Sequence, residues 1–88
     1  MDEFDTKLKN LALLVGNTPT LCIEALVEGK KEQIFAKYEA WNYTGSIKDR
    51  MALKILQSAR ILGRLCPGDT IVEATSGNTG IAFAAMGA

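Results

Sequence analysis

Thr70-Ile71-Val72-Glu73-Ala74-Thr75-Ser76-Gly77-Asn78-Thr79-Gly80-Ile81-Ala82 decides the fold. Its first five residues read as a strand, rich in β-branched side chains. Thr75–Gly80 is a polar, glycine-bearing loop. Residues 81–88 are small and apolar, the composition of a buried helix. A strand that feeds a helix through a short loop is the repeating unit of a parallel α/β sheet.

Working back, residues 42–46 (Asn-Tyr-Thr-Gly-Ser) form another loop, and a helix follows. Ile47, Met51, Ile55, Ala59 and Leu62 fall on one helical stripe, which Ala52 and Leu56 widen. Ser46 and Asp49 resemble a capping box, and Gly63 is a natural stop. Leu21–Leu26 and Gln33–Tyr38 are expected as strands of a hairpin about the polar turn at residues 28–32. Gly16-Asn17-Thr18-Pro19 reads as a turn, and residues 4–14 as a short helix with Phe4, Leu8, Leu11 and Leu14 on one side. The order strand, helix, strand, helix from residue 33 onward indicates an α/β fold with parallel strands.

Composition narrows the function. Eighty-eight residues hold one small domain, and ten basic residues balance ten acidic ones. Zero net charge argues against nucleic acid or an anionic membrane as partner. No apolar run approaches the roughly 20 residues that span a bilayer. The acidic start, Met-Asp-Glu-Phe-Asp, lacks the pattern of a secretory signal, so the expected location is the cytoplasm. With no histidine and no CxxC, a metal site is not expected. Cys22 and Cys66 read as small buried hydrophobes. Met51 reads as core, and Tyr38 and Trp41 as packing residues at a strand end. All lysines and arginines lie at or before Arg64, leaving Asp69 and Glu73 as the only charged residues in 65–88. A helix without a polar face needs cover, so the chain is expected to be a piece of something longer.

Two loops carry chemistry. Lys48 stands in the first turn of the residue 47–62 helix, where the dipole disfavours a cation. Such a broken local rule points to function, and an uncharged amine there can attack a carbonyl to form a Schiff base. Taken alone, Lys48 reads more simply as a surface lysine. The second loop opens a helix, whose free N–H groups make an anion site. Thr75, Ser76 and Thr79 add hydroxyls, Asn78 can donate and accept, and Gly77 and Gly80 permit close approach. The guest is a carboxylate or phosphate; an N-capped turn without a ligand is the plain alternative. No Walker lysine or Gly-x-Gly-x-x-Gly is present. Together, an amine and an anion loop at the carboxyl ends of strands suit an amino-acid or keto-acid substrate.

These motifs resemble a known family. Residues 42–50 (Asn-Tyr-Thr-Gly-Ser-Ile-Lys-Asp-Arg) are similar to the lysine motif of fold type II (β-family) pyridoxal-phosphate enzymes. Glu73–Ala82 resembles the substrate-carboxylate loop of the cysteine synthase and cystathionine β-synthase branch, and residues 15–19 (Val-Gly-Asn-Thr-Pro) its N-terminal signature. The resemblance implies a three-layer parallel-sheet fold like the tryptophan synthase β-subunit, present here as an N-terminal portion. It implies that Lys48 bonds pyridoxal 5'-phosphate, and that Asn78 hydrogen-bonds its phenolic oxygen. It further implies that Thr75, Ser76, Gly77 and Thr79 hold the substrate carboxylate. The implied reaction is β-replacement on an O-activated serine such as O-acetylserine, with sulfide or another nucleophile, in a homodimer when full length. Cysteine synthase is the favoured branch. Cystathionine β-synthase and a diaminopropionate-type synthase stay open, as does a non-catalytic α/β binding or docking module. Tyr43, where the family often has Pro, and Thr20, where Leu is usual, depart from the pattern. The family's phosphate loop and its partner for the pyridine nitrogen lie beyond residue 88, and in the family the hairpin packs on a second domain. The 88 residues alone are therefore expected to be inactive.

Overall fold

The computed structural model describes residues 2–88. Helix α1 (Glu3–Ala12) begins where the Asp2 carboxylate caps the Asp5 N–H at 2.8 Å. Strands β1 (Thr20–Val27) and β2 (Lys30–Lys37) pair antiparallel, with Val27 opposite Lys30. The two residues between them, Glu28 and Gly29, both have positive φ, 49° and 79°. That geometry matches the twist of a tight hairpin. A 3₁₀ turn (Glu39–Trp41) leads to the loop before α2 (Lys48–Ile61), and α3 (Asn78–Gly87) ends the chain.

The core is formed by the three helices. Leu8 and Leu11 of α1, Ala52, Leu53 and Leu56 of α2, and Ala82, Phe83 and Met86 of α3 are buried together. Arg60 near the end of α2 ties α1 down. Its guanidinium meets Asp2 at 2.8 Å and Asp5 at 2.9 Å and lies over the Phe4 ring at 4.8 Å.

Several expectations are corrected. The buried face of α2 is rotated from the predicted stripe. Ile47, Met51, Ile55 and Leu62 are exposed, whereas Ala52 and Leu56, which widened the stripe, are buried together with Asp49 and Leu53. Leu14 lies outside α1 and is exposed. Both cysteines are exposed, as are Tyr38 and Trp41. Thr70–Ala74 joins no ladder, and the sheet among the described residues is the antiparallel hairpin alone. A strand needs a neighbour to satisfy its N–H and C=O groups, and no other segment here lies alongside it. The hairpin is exposed on both faces: Leu21, Ile23, Ile34 and Phe35 all meet solvent.

Candidate functional site

Lys48 is the first residue of α2, and its side chain is exposed. The expected capping box does not form. Ser46 Oγ accepts the Lys48 N–H at 3.2 Å, and the Asp49 carboxylate turns the other way. Asp49 is fully buried. One of its oxygens accepts the Thr44 backbone N–H at 2.6 Å, and the other accepts the Thr44 hydroxyl. The loop before Lys48 is thereby folded back onto its own helix. Gly45, at its apex, has φ +94°, a backbone that side chains disfavour.

A second network reaches the same loop from the far side. Arg50 grips Glu39 with a two-pronged contact, Nε to Oε1 at 2.5 Å and Nη2 to Oε2 at 3.1 Å. Glu39 also accepts the Thr18 hydroxyl. Asn42 Nδ2 donates to the Glu39 carboxylate at 3.1 Å and to the Glu39 carbonyl at 2.8 Å. Asn42 Oδ1 accepts the Gly16 N–H at 2.6 Å. Arg50, with Thr18 and Asn42 beside it, holds the Glu39 carboxyl at about 2, below its ordinary 4.5. The turn at residues 16–19 and the lysine loop are thus one polar unit.

The 75–80 loop has its own internal brace. Thr75 Oγ1 accepts the N–H of Gly77 and of Gly80, each at 3.2 Å. Its hydroxyl proton stays free to donate. A Cβ on Gly80 would stand 2.4 Å from Thr75 Cγ2, so only glycine allows this approach. Among the described residues, no hydrogen bond engages the N–H of Ser76, Asn78 or Thr79. Three free donors at the start of α3, with the positive end of its dipole, are suited to an anion.

Thr75, Ser76, Gly77, Asn78 and Thr79 therefore sit together in one turn, as expected. Lys48 opens a different helix, and no hydrogen bond among the described residues joins its side chain to that turn. The two helices pack through Ala52, Leu53, Leu56, Ala82, Phe83 and Met86. Sequence reasoning does not single out Glu39 as the partner of Arg50. The only local hint was two polar residues three apart, Glu39 before the loop and Asn42 at its start.

A model of the pyridoxal-phosphate dependent enzyme family matches residues 11–88. This chain belongs to that family. Pyridoxal phosphate is the family's cofactor, and the donors above fit it: an exposed primary amine at Lys48 and unengaged amides at the α3 start. The chain is 43% identical to cysteine synthase of Staphylococcus aureus over 75 residues, 85% of this chain and 24% of that protein. It is 48% identical to cystathionine β-synthase of Saccharomyces cerevisiae over 82 residues, 90% of this chain and 16% of that protein. Its backbone follows the hydrogen sulfide-producing enzyme of Fusobacterium nucleatum with a TM-score of 0.87 and 52% identity, over 94% of this chain and 25% of that one. The α/β fold of the fold type II enzymes is therefore the fold of this chain. The chain spans about a quarter or less of each of these three proteins. No helix among the described residues is long and apolar enough to cross a membrane.

Proposed function

We propose that these 88 residues are the N-terminal part of a cytoplasmic, homodimeric enzyme that catalyses β-replacement on an O-activated serine, with sulfide as nucleophile. The favoured activity is that of cysteine synthase. The similarity to cystathionine β-synthase keeps that second reading open. The observation that carries the proposal is the state of Lys48. It is an exposed amine without an ion-pair partner among the described residues, on a loop that buried Asp49 holds in place.

Bound pyridoxal phosphate supplies an electron sink for the substrate's α-carbon. Lys48 Nζ anchors the cofactor at rest. Once free, it takes the proton from the substrate Cα and later returns it. Asn78 would help to hold the cofactor through its side-chain amide. The N–H groups of Ser76 and Thr79 and the hydroxyl of Thr75 hold the substrate carboxylate, while Gly77 keeps the turn open. The remainder of the active site belongs to segments beyond these residues, so the 88-residue chain alone does not turn over substrate.

The test is to add pyridoxal phosphate to the 88-residue chain and to a longer form of the protein, then record the imine absorbance. The longer form should develop it, and Lys48→Ala should abolish it. Borohydride reduction should then fix the cofactor's mass on the peptide containing Lys48. A colourless longer form, or a chromophore unchanged in Lys48→Ala, refutes the assignment. Turnover of O-acetylserine by the short chain alone refutes its inactivity.

A further inference from the structure

We propose that Glu39 is a positioning residue: with Arg50, Thr18 and Asn42 it clamps the turn at residues 16–19 onto the loop that presents Lys48. The proposal rests on the role given to Lys48 above, and it assigns a task to a residue that touches neither cofactor nor substrate.

The geometry has three parts. First, Glu39 stands at a crossing point. Its carboxylate engages Arg50, two residues after Lys48, and Thr18, in the turn near the N-terminus. Asn42 meets both the carboxylate and the carbonyl of Glu39, and Asn42 belongs to the loop itself. One side chain therefore fixes segments that are far apart in sequence.

Second, two members of the network are shielded, although Arg50 itself is exposed. Thr18 and Asn42 are each only 4% exposed, and no buried side-chain polar atom among the described residues lacks a partner. Removing one member leaves the others with unmet donors, which costs more than the lost bond itself. Arg50 Nη2 also donates to Thr18 Oγ1 at 3.3 Å, and Lys37 Nζ donates to the Thr18 carbonyl.

Third, the parts approach too closely for substitution. Gly16 donates its N–H to Asn42 at 2.6 Å with φ +80°. A Cβ there would come 3.1 Å from Arg50 Nη1. The apolar core lies among the three helices and contains none of these residues. Removing the clamp should therefore loosen the lysine loop before it unfolds the domain. A reactive amine misplaced by even an ångström loses rate steeply.

The experiment uses the full-length protein with Glu39→Gln, Arg50→Lys and the double variant. Hydrogen exchange is measured without cofactor, and cofactor binding and kinetics are measured with it. Glu39→Gln keeps the size but loses the ion pair; Arg50→Lys keeps the charge but loses the fork. We expect exchange in residues 16–19 and 42–50 to rise about tenfold or more while α3 is unchanged. We expect kcat to fall roughly 10–100-fold, the range seen when supporting residues are removed. KM should change less than about threefold, and the double variant should be no worse than the worse single one. Should Glu39→Gln fail to fold, Thr18→Val should give the same local loosening and Thr18→Ser should restore protection. Equal exchange increases across the whole chain, or none, overturn the clamp, as do additive losses in the double variant. Lys48→Ala runs alongside. If it leaves the chromophore intact, the functional assignment fails; if it abolishes the chromophore while Glu39→Gln changes nothing, the clamp alone fails.

Discussion

Asp49 and Thr44 lock the approach to Lys48: the buried carboxylate takes both the backbone N–H, at 2.6 Å, and the hydroxyl of Thr44. A carboxylate is buried here because two donors meet it in a loop that would otherwise leave them unpaired. Asp49→Ala should therefore lose about 2–6 kcal/mol, from two stranded donors at about 1–3 kcal/mol each. Asp49→Asn should cost clearly less. Its carbonyl can take the Thr44 N–H, and the Thr44 hydroxyl can reverse to accept from the new amide. Urea unfolding of both variants measures the difference, and equal losses contradict the two-donor account.

The 75–80 turn predicts a rescue. Gly80→Ala places a methyl 2.4 Å from Thr75 Cγ2 and should push Thr75 off the Gly77 and Gly80 amides. In the full-length enzyme, KM for the amino acid should rise about tenfold or more, the scale of 1.4 kcal/mol in binding, with the cofactor chromophore retained. Adding Thr75→Ser removes the offending methyl and keeps the hydroxyl. The double variant should recover most of the affinity. No recovery would mean that the turn is not organised by this contact.

Acid separates Glu39 from other carboxylates. Arg50 chiefly, with Thr18 and Asn42, holds its folded-state value at about 2, against 4.5 without partners. A lowered folded value makes the charged form stabilising. That contribution is complete above pH 4.5 and is lost as pH falls from 4.5 through about 2. The deficit of Glu39→Gln should accordingly be constant above about pH 5 and shrink as the solution is acidified through this window. Asp5 is also held below its usual value by Arg60. The comparison of parent with variant cancels that background, because Asp5 is unchanged. A deficit that grows on acidification contradicts the pairing.

Two glycines divide backbone strain from crowding. Gly29 has φ +79° and open space where a Cβ would stand, so Gly29→Ala should show the left-handed penalty alone, about 1–2 kcal/mol. Gly16 has φ +80° but also faces Arg50 Nη1 at 3.1 Å. Gly16→Ala should lose more, and it should also raise hydrogen exchange at residue 42, whose side chain Gly16 engages. Equal losses at the two sites indicate that the Arg50 approach is soft.

Much of the fold could be read locally. The hairpin follows from two β-rich runs about a polar turn, and α1, α2 and α3 follow from periodicity, composition and glycine stops. The face of α2 could not be read. Apolar residues cover a wide arc of that helix: Ile47, Met51 and Ile55 on one side, and on the other Leu53 with Ala52 and Leu56, which widen the expected stripe. Periodicity marks both as apolar, and the position of α1 and α3 selects the second. Thr70–Ala74 differs from its expected strand for a related reason, because a strand is a property of a pair and no described residue pairs with it.

Three motifs of the family were legible as contiguous stretches: the turn at 16–19, the lysine loop at 42–50 and the glycine-bearing loop at 75–80. These motifs are short contiguous segments, where turn geometry, helix polarity and side-chain type act over a few residues. Only the tertiary structure revealed that Asp49 serves Thr44 rather than a cap, and that Glu39, Arg50, Asn42 and Thr18 bind the first motif to the second. The Glu39–Arg50 and Glu39–Thr18 bonds cross 11 and 21 positions of chain, and no local rule of spacing selects such partners. They are chosen when buried polar groups must find one another as the surrounding chain closes over them.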